Sequence, residues 1–185
     1  HPFVESAAMS NRYFPFHELG FRCNPFRALT DDEWTDVATQ SVPAEIAAIL
    51  ARGFTHLQIL GARGHGKTTT LLALAARLKR AGKRVAYEYL PEGQTHFVSD
   101  LRALDVFLLD EVQRLDARER KRLCARANDL CLVLGSHTDL SRFFARHTLT
   151  TAHLAAMNAD HLAAILQKRL DYFALNKTSS VSFTP

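Results

Sequence analysis

The period of the hydrophobic positions changes along the chain, and from residue 54 onward short apolar runs alternate with amphipathic segments. The apolar runs predict five strands, at Phe54–Leu60, Arg84–Tyr89, Asp105–Asp110, Leu130–Gly135 and Thr148–Leu154. The other segments predict helices at Thr69–Ala81, Ala117–Asn128, Asp139–Arg146 and Asn158–Leu175. Strands that alternate with helices indicate a parallel sheet with crossover connections, so the predicted fold class is α/β with a parallel five-stranded sheet flanked by helices.

The first 53 residues lack this alternation. Residues 9–30 are rich in aromatic residues and proline, which excludes a regular helix and predicts an extended segment. The capping-box pattern Thr30-Asp31-Asp32-Glu33 predicts a short helix to about Ala38. A second helix is expected to have Pro43 at its first position and to end at Gly53.

The predicted organisation has four parts. Residues 1–8 are set aside as processed or added, since the chain begins with His1 and Met9 is a candidate native start. Residues 9–53 form an N-terminal extended segment and short helices packed on the core. Residues 54–157 form the core itself, and residues 158–185 form a C-terminal helix and a polar tail.

The composition narrows the class of protein. A chain of 185 residues is long enough for one hydrophobic core and short for two. It contains no apolar run of about 18 residues, which excludes an integral membrane helix. Cys23, Cys124 and Cys131 are widely spaced, which indicates a reducing compartment without a disulfide framework. We therefore expect a cytoplasmic protein with no membrane insertion.

The charge is unevenly distributed. The net charge is +4, but residues 1–53 hold four arginines against seven acidic residues, a net charge of −3. The rest of the chain is therefore basic, which suits a polyanionic partner such as a nucleotide or a nucleic acid.

A phosphate-binding pattern lies between the first predicted strand and the helix that follows it. Gly61-Ala62-Arg63-Gly64-His65-Gly66-Lys67-Thr68 matches the spacing G-x-x-x-x-G-K-[ST], and Thr69 continues into the helix. The glycines let backbone N–H groups face phosphate oxygens, and the helix adds its positive end. Lys67 is predicted to neutralise the β- and γ-phosphates of ATP, and Thr68 to supply a hydroxyl to Mg²⁺.

Two carboxylates end the most apolar strand, Asp105–Asp110. Asp110 is predicted to hold Mg²⁺ through water, and Glu111 to polarise an attacking water molecule. The alternative is a solvated pair of acidic residues at the end of a strand. Glu111 is the residue that would distinguish a hydrolase from a protein that only binds nucleotide.

Together, the phosphate loop, the Asp110-Glu111 strand and the Gly135-Ser136-His137 turn resemble the additional-strand P-loop ATPases of the AAA+ superfamily, over about residues 24–172. Within that superfamily, the chain is similar to compact bacterial ATPases of DNA transposition and general secretion. The resemblance implies a P-loop NTPase sheet and an adenine pocket formed with Asn24-Pro25-Phe26.

The same resemblance implies two further roles. The sensor position after the fourth strand falls on Ser136, with His137 as the second candidate, although a simple turn explains these residues equally well. The arginine finger, which acts on ATP in a neighbouring subunit, falls on Arg146, with Arg142 as the second candidate and a solvated surface arginine as the alternative. Only one clear helix follows the fifth strand, so the helical lid of the superfamily is expected to be reduced or absent.

The segment Arg114–Arg126 carries six basic residues against two acidic ones. On a helix this segment predicts either a DNA-binding track or a solvated face that meets an acidic neighbour. No pair among the nine histidines has a metal-ligand spacing, so no zinc site is predicted.

The resulting hypothesis is an ATPase that binds ATP and Mg²⁺ and hydrolyses the ATP to ADP and phosphate. It would switch assembly with itself, with a protein partner or with DNA. The alternatives are a small-molecule P-loop kinase and a nucleotide-gated interaction module without turnover. The Asp110-Glu111 pair argues against the kinase, because kinase strands rarely end in two acidic residues.

Overall fold

The computed structural model of the chain describes residues 16–27, 29–30, 33, 37, 43–53, 55–156 and 158–175. The chain folds into two compact units, one of residues Gln40–Asn158 and one that joins His1–Thr39 to Ala159–Pro185. Residues 1–8, which were expected to be processed or added, lie outside the described residues.

The larger unit contains the whole sheet, whose five strands are parallel and lie in the order β2-β3-β4-β1-β5. This arrangement confirms the predicted α/β fold class. Its elements are α1 (Ala44–Arg52), β1 (His56–Leu60), α2 (Lys67–Arg80), β2 (Val85–Tyr89), β3 (Val106–Asp110), a 3-10 turn (Val112–Arg114), α3 (Ala117–Arg126), β4 (Cys131–Ser136) and β5 (Leu149–His153).

Strand β3 shows why the sheet carries a hydrophobic layer on each face. Side chains of a strand alternate between the two faces. Phe107 and Leu109 pack in the layer that contains Leu123 of α3. Val106 and Leu108 pack in the layer that contains the P-loop helix α2. Every residue of β3 is buried, so the sheet brings Asp110 to its carboxyl edge inside a dry environment.

The predicted helix at Asp139–Arg146 is wrong, since hydrogen-bonded turns occupy residues 141–146. The cause is Gln58, a fully buried residue of β1. Its Nε2 donates to Asp139 Oδ1 at 2.8 Å, and its Oε1 accepts from the backbone N–H of Leu140 at 3.0 Å. These bonds hold the start of the segment against the sheet, and Asp139 also accepts from Ser141 N at 2.8 Å.

The ends of the N-terminal helices follow the sequence closely. Gly53, with φ of 80°, ends α1 as predicted, whereas Pro43 caps that helix rather than occupying its first position. The capping-box bonds are present, because Thr30 N donates to Glu33 Oε2 at 2.8 Å and Glu33 N donates to Thr30 Oγ1 at 3.4 Å. The remaining residues of this predicted helix, except Val37, lie outside the described part of the chain.

The smaller unit is built on α4 (Ala159–Phe173). The segment before residue 28 pairs with the end of this helix, where Phe21 and Ala174 form an antiparallel bridge. Arg169 of α4 donates its Nε to Pro25 O at 2.8 Å. The Asn24-Pro25-Phe26 segment is therefore anchored to the C-terminal helix.

The buried imidazole of His56 makes the stability of the fold depend on pH. The side chain is 1% exposed, its Nδ1 accepts from Leu132 N at 3.2 Å, and its ring lies 5.5 Å from the ring of His147. Burial, followed by the charge of His147, lowers the pKa of His56 below the ordinary value of 6.5.

We therefore expect the free energy of unfolding to fall as the pH is lowered through 6.5, because the unfolded chain then binds a proton that the folded His56 resists. His56→Asn should reduce this pH dependence in denaturant titrations between pH 7.5 and 5. His96→Asn, at an exposed histidine, serves as the control. An unchanged pH dependence in His56→Asn would contradict the assignment.

Candidate functional site

The phosphate loop joins β1 to α2 through a backbone that requires glycine. Gly64 and Gly66 both have φ of 81°, a left-handed conformation that side chains with a Cβ rarely adopt. Gly66 caps α2, so Lys67 and Thr68 are its first two residues. The His65 Nδ1 lies 2.8 Å from Leu154 O, at the end of β5. The loop thus leaves its N–H groups and the N-terminus of α2 at the carboxyl edge of the sheet.

The side chain of Lys67 lies over this loop and is only 5% exposed. Its Nζ donates to Gly61 O at 2.9 Å and to Ala62 O at 3.3 Å, and lies 3.1 Å from His137 Nδ1. Burial lowers the pKa of Lys67, and the charges of Glu111 and Asp110 oppose that shift. The ammonium group is therefore held at the loop with incomplete charge compensation.

Thr68 and Asp110 meet where α2 begins and β3 ends. The Thr68 hydroxyl donates to Asp110 Oδ2 at 2.6 Å, and the backbone N–H of Glu111 donates to Asp110 Oδ1 at 2.9 Å. Asp110 is fully buried, and that burial raises its pKa against the opposing effect of the two hydrogen bonds. A cation at this carboxylate would restore the charge balance that burial disturbs.

Glu111 adopts a left-handed backbone conformation, with φ of 60° and ψ of 37°. Such a conformation in a residue other than glycine costs free energy and is frequent at functional sites. The Glu111 carboxylate accepts from Gln113 Nε2 at 2.7 Å, and its two oxygens lie 3.0 Å from His137 Nε2 and 3.4 Å from Arg114. Three neighbours thus hold the carboxylate at the edge of the sheet.

Lys67, Thr68, Glu111 and His137 line one cavity of about 410 Å³, and Asp110 bonds to Thr68 without lining it. The sequence did not indicate Tyr89 and Arg114 as members of this site, although both line the cavity. Tyr89 is the last residue of β2, which pairs with β3. Because neighbouring parallel strands end at the same edge of the sheet, the strand order would have indicated that Tyr89 lies beside Asp110. The lining residues are Arg63, Gly64, Gly66, Lys67, Thr68, Thr69, Tyr89, Glu111, Arg114 and His137.

The structure separates the two sensor candidates. The Ser136 hydroxyl donates to Thr138 O at 2.7 Å and accepts from Thr138 N at 3.0 Å, within its own turn. His137 instead lies between Lys67 and Glu111, at 3.1 Å and 3.0 Å. Of the two candidates, the geometry brings His137 into the cavity.

Other predicted residues are not part of the lining of this cavity. Arg146 lines a separate cavity beside α3. Asn24-Pro25-Phe26 belongs to the smaller unit. The predicted basic helix begins at Ala117, so Arg114 is not part of it and instead points toward Glu111 from the 3-10 turn.

The donor set fits a phosphate chain and Mg²⁺. A hydroxyl and a carboxylate are the hard oxygen ligands that Mg²⁺ prefers, and this ion keeps several waters and takes few protein ligands. Within the described part of the chain, no group of three His, Cys, Asp or Glu residues forms a metal site from protein ligands alone. The loop N–H groups and Lys67 match phosphate oxygens.

Three solved structures have a similar fold. A DNA replication initiation factor is 19% identical with a TM-score of 0.56, covering 75% of this chain and 54% of that chain. Domain III of the Thermotoga maritima replication initiation protein DnaA is 19% identical with a TM-score of 0.54, covering 79% of this chain and 76% of that chain. AMPPCP-bound DnaA from Aquifex aeolicus is 20% identical with a TM-score of 0.50, covering 77% of this chain and 56% of that chain.

The likeness is one of fold, the five-stranded α/β fold of DnaA domain III, and the chain spans about half the length of two of these three proteins. No protein-family model matches the sequence, and no curated protein is significantly similar to it. No helix among the described residues has the length and apolar character that crossing a membrane requires.

Gly135 of β4 provides a direct test of the packing around Asp110. A Cβ at position 135 would lie 2.5 Å from Asp110 Oδ1 and 2.7 Å from Leu71 Cδ1. We expect Gly135→Ala to lower the free energy of unfolding by about 1–3 kcal/mol. In an Asp110→Ala background the same change should cost less, because the carboxylate is gone. Additive costs in denaturant titrations would contradict this contact.

Proposed function

We propose that the chain binds ATP with Mg²⁺ and hydrolyses it to ADP and phosphate, and that its nucleotide state switches its assembly with protein or DNA partners. The observation that carries the proposal is the convergence of Lys67, Thr68 and Glu111 on one cavity, with the buried Asp110 bonded to Thr68. The fold shared with an AMPPCP-bound protein supports nucleotide binding.

Different groups of the chain would bind the phosphates and the metal ion. The loop N–H groups and Lys67 would bind the β- and γ-phosphates, whose charge would favour the protonated lysine that burial disfavours. Thr68 and Asp110 would hold Mg²⁺, with Asp110 acting through water. The bound ion would neutralise charge on the phosphate oxygens. Asn24-Pro25-Phe26 remains our proposed adenine contact.

Glu111 is proposed to orient a water molecule and to accept its proton while the water oxygen bonds to the γ-phosphorus. The bond from that phosphorus to the β-phosphate oxygen breaks, and ADP leaves. In the structure, both Glu111 oxygens already have partners in Gln113, His137 and Arg114. A carboxylate oxygen has two lone pairs, so the oxygen that faces His137 can also accept a hydrogen bond from the water.

Further roles are proposed for His137 and Arg146. His137 takes over the sensor role first assigned to Ser136, because it contacts Lys67 and Glu111 directly. Arg146 is proposed to act on ATP in a neighbouring copy. We propose that the protein takes part in a nucleotide-dependent assembly step, as the resemblance to transposition and secretion ATPases implies.

The second candidate function is a nucleotide-gated interaction module without turnover. The observation that favours it is the position of the Glu111 carboxylate among three neighbours that compete with water for its oxygens. Such a protein would bind ATP at the same site and leave it intact. Measured turnover therefore decides between the two functions.

Single substitutions separate binding from hydrolysis. Lys67→Ala should raise the Kd for ATP at least tenfold, because it removes the cation of the phosphate loop. Glu111→Gln should leave the Kd within about threefold and lower kcat by about 100-fold or more. Both are measured by titration with a fluorescent ATP analogue and by phosphate release.

Glu92→Gln is the matched control, because it makes the same change at an exposed glutamate. An unchanged Kd for ATP in Lys67→Ala contradicts the site. Equal turnover in Glu111→Gln and wild type removes Glu111 from its role. Tight ATP binding by the wild type without turnover favours the interaction module.

The role of Arg146 depends on a second copy of the chain. If Arg146 acts on a neighbour, phosphate release per chain should rise with protein concentration, and Arg146→Ala should abolish that rise. Mixing Arg146→Ala with Lys67→Ala chains should restore part of the activity. Arg142→Ala tests the second candidate, and Arg77→Ala, at an exposed arginine of α2, is the control. A constant specific activity over a 100-fold concentration range argues against a neighbour's arginine.

A further inference from the structure

A second cavity, of about 550 Å³, lies in the larger unit between α3 and the turns at residues 141–147. Its lining contains three cationic side chains and no acidic residue. The lining also includes the apolar ring of Phe143, a residue that is 48% exposed. The lining residues are Ala117, Arg120, Lys121, Cys124, Ala125, Asn128, Phe143, Arg146 and His147.

Phe143 and Arg120 form a stacked pair in this cavity, which we call the Phe143–Arg120 platform. The Arg120 guanidinium lies over the Phe143 ring, 4.6 Å from its centre, and its Nε donates to Leu115 O at 2.8 Å. The backbone of Phe143 is held as well, because its N–H donates to Leu140 O at 2.8 Å and its carbonyl accepts from Cys124 Sγ at 3.3 Å. A platform held in this way loses little conformational freedom when a flat ligand stacks on it.

The five basic residues of α3 differ in their surroundings. Arg122 pairs with Glu119 at 3.1 Å and lies over the ring of Phe97, and Arg126 contacts Leu101 O at 3.5 Å. Arg118 is exposed and does not line the cavity. Arg120 and Lys121 line it, so two of the five charges of this helix lie at the cavity.

The opposite side of the cavity is basic too. Arg146 lines it, and Arg142 is exposed on the same run of turns. Cations on both sides exceed what a single phosphate group requires. They suit a chain of phosphates that passes across the cavity.

We propose that this cavity binds a nucleotide unit of a single-stranded nucleic acid. A base stacks on the Phe143–Arg120 platform, and the neighbouring phosphates lie beside Lys121 and Arg146. Aromatic stacking combined with a basic groove is the way proteins bind single strands without reading their sequence. A duplex keeps its base faces stacked inside, and an acidic peptide would use the cations but not the platform.

This site is separate from the phosphate cavity, although it specifies the DNA partner in the proposed function. Either proposal can fail alone. Arg146 belongs to the lining, so its action on a neighbour's nucleotide would require a second copy seated over the same cavity. Lys121 and Phe143 test the nucleic-acid site without altering Arg146.

The test is fluorescence anisotropy of a labelled 20-nucleotide oligothymidine with the full chain, without ATP, from 50 to 300 mM salt. Lys121→Glu should weaken binding at least tenfold at 50 mM salt, and the wild-type affinity should fall steeply with salt. Phe143→Ala should weaken binding at least about fivefold, and Phe143→Trp should keep the affinity within about threefold, because it preserves a stacking surface.

The controls match each change elsewhere on the surface. Lys79→Glu reverses the charge of an exposed lysine on α2, and Leu162→Ala removes an exposed apolar side chain of α4. Both should bind oligothymidine like the wild type. Lys67→Ala should also keep its affinity for the strand, which separates this site from the ATP site. Thermal melting checks that each variant is folded.

Five outcomes overturn the proposal. One is no binding of oligothymidine at 50 mM salt, and another is equal losses in Lys121→Glu and Lys79→Glu. A third is tighter binding of a duplex of the same length. The fourth is displacement of the strand by polyglutamate as effectively as by unlabelled oligothymidine. Tight binding of free thymidine nucleotide at this cavity, with no gain from a longer strand, would overturn the single-strand assignment in favour of a small ligand.

Discussion

The hydrogen bond between Thr68 and the buried carboxylate of Asp110 joins the two halves of the site. A buried carboxylate is costly unless hydrogen bonds satisfy it, and here the donors are the first turn of α2 and the backbone of Glu111. This requirement places the phosphate loop against the end of β3. It also demands a residue without a side chain at Gly135, where a Cβ would collide with the carboxylate.

The left-handed conformation of Glu111 accompanies the same bond. Its backbone N–H points back to Asp110 while its side chain reaches His137 on the turn after β4. One short segment therefore supplies both a group suited to a metal ion and a candidate base. A strained backbone is stable here because the surrounding hydrogen bonds determine it.

A second buried polar residue, Gln58 of β1, positions the segment that follows β4. It holds Asp139 and Leu140 and so sets the path of the chain toward Phe143 and Arg146. Because that path is a series of turns rather than a helix, it forms one wall of the basic cavity beside α3. The cavity at the phosphate loop and the basic cavity thus both include residues of a single segment, residues 137–147, that follows β4.

The sequence alone determined the fold class, the strands and the phosphate loop of this protein. Each depends on local information: apolar periodicity, glycines that permit positive φ, and the spacing from Gly61 to Thr68. For the same reason it identified the Asp110-Glu111 pair at the end of a run that could only be a buried strand.

Tertiary structure decided what depends on contacts between distant residues. It brought His137 rather than Ser136 into the cavity, because the end of β4 turns the two neighbouring side chains in different directions. It replaced the predicted helix at Asp139–Arg146 with turns, because Gln58, some 81 residues earlier, binds its start. It also divided the basic helix between internal pairs and an open cavity, since partners such as Phe97 and Phe143 are brought near only by folding.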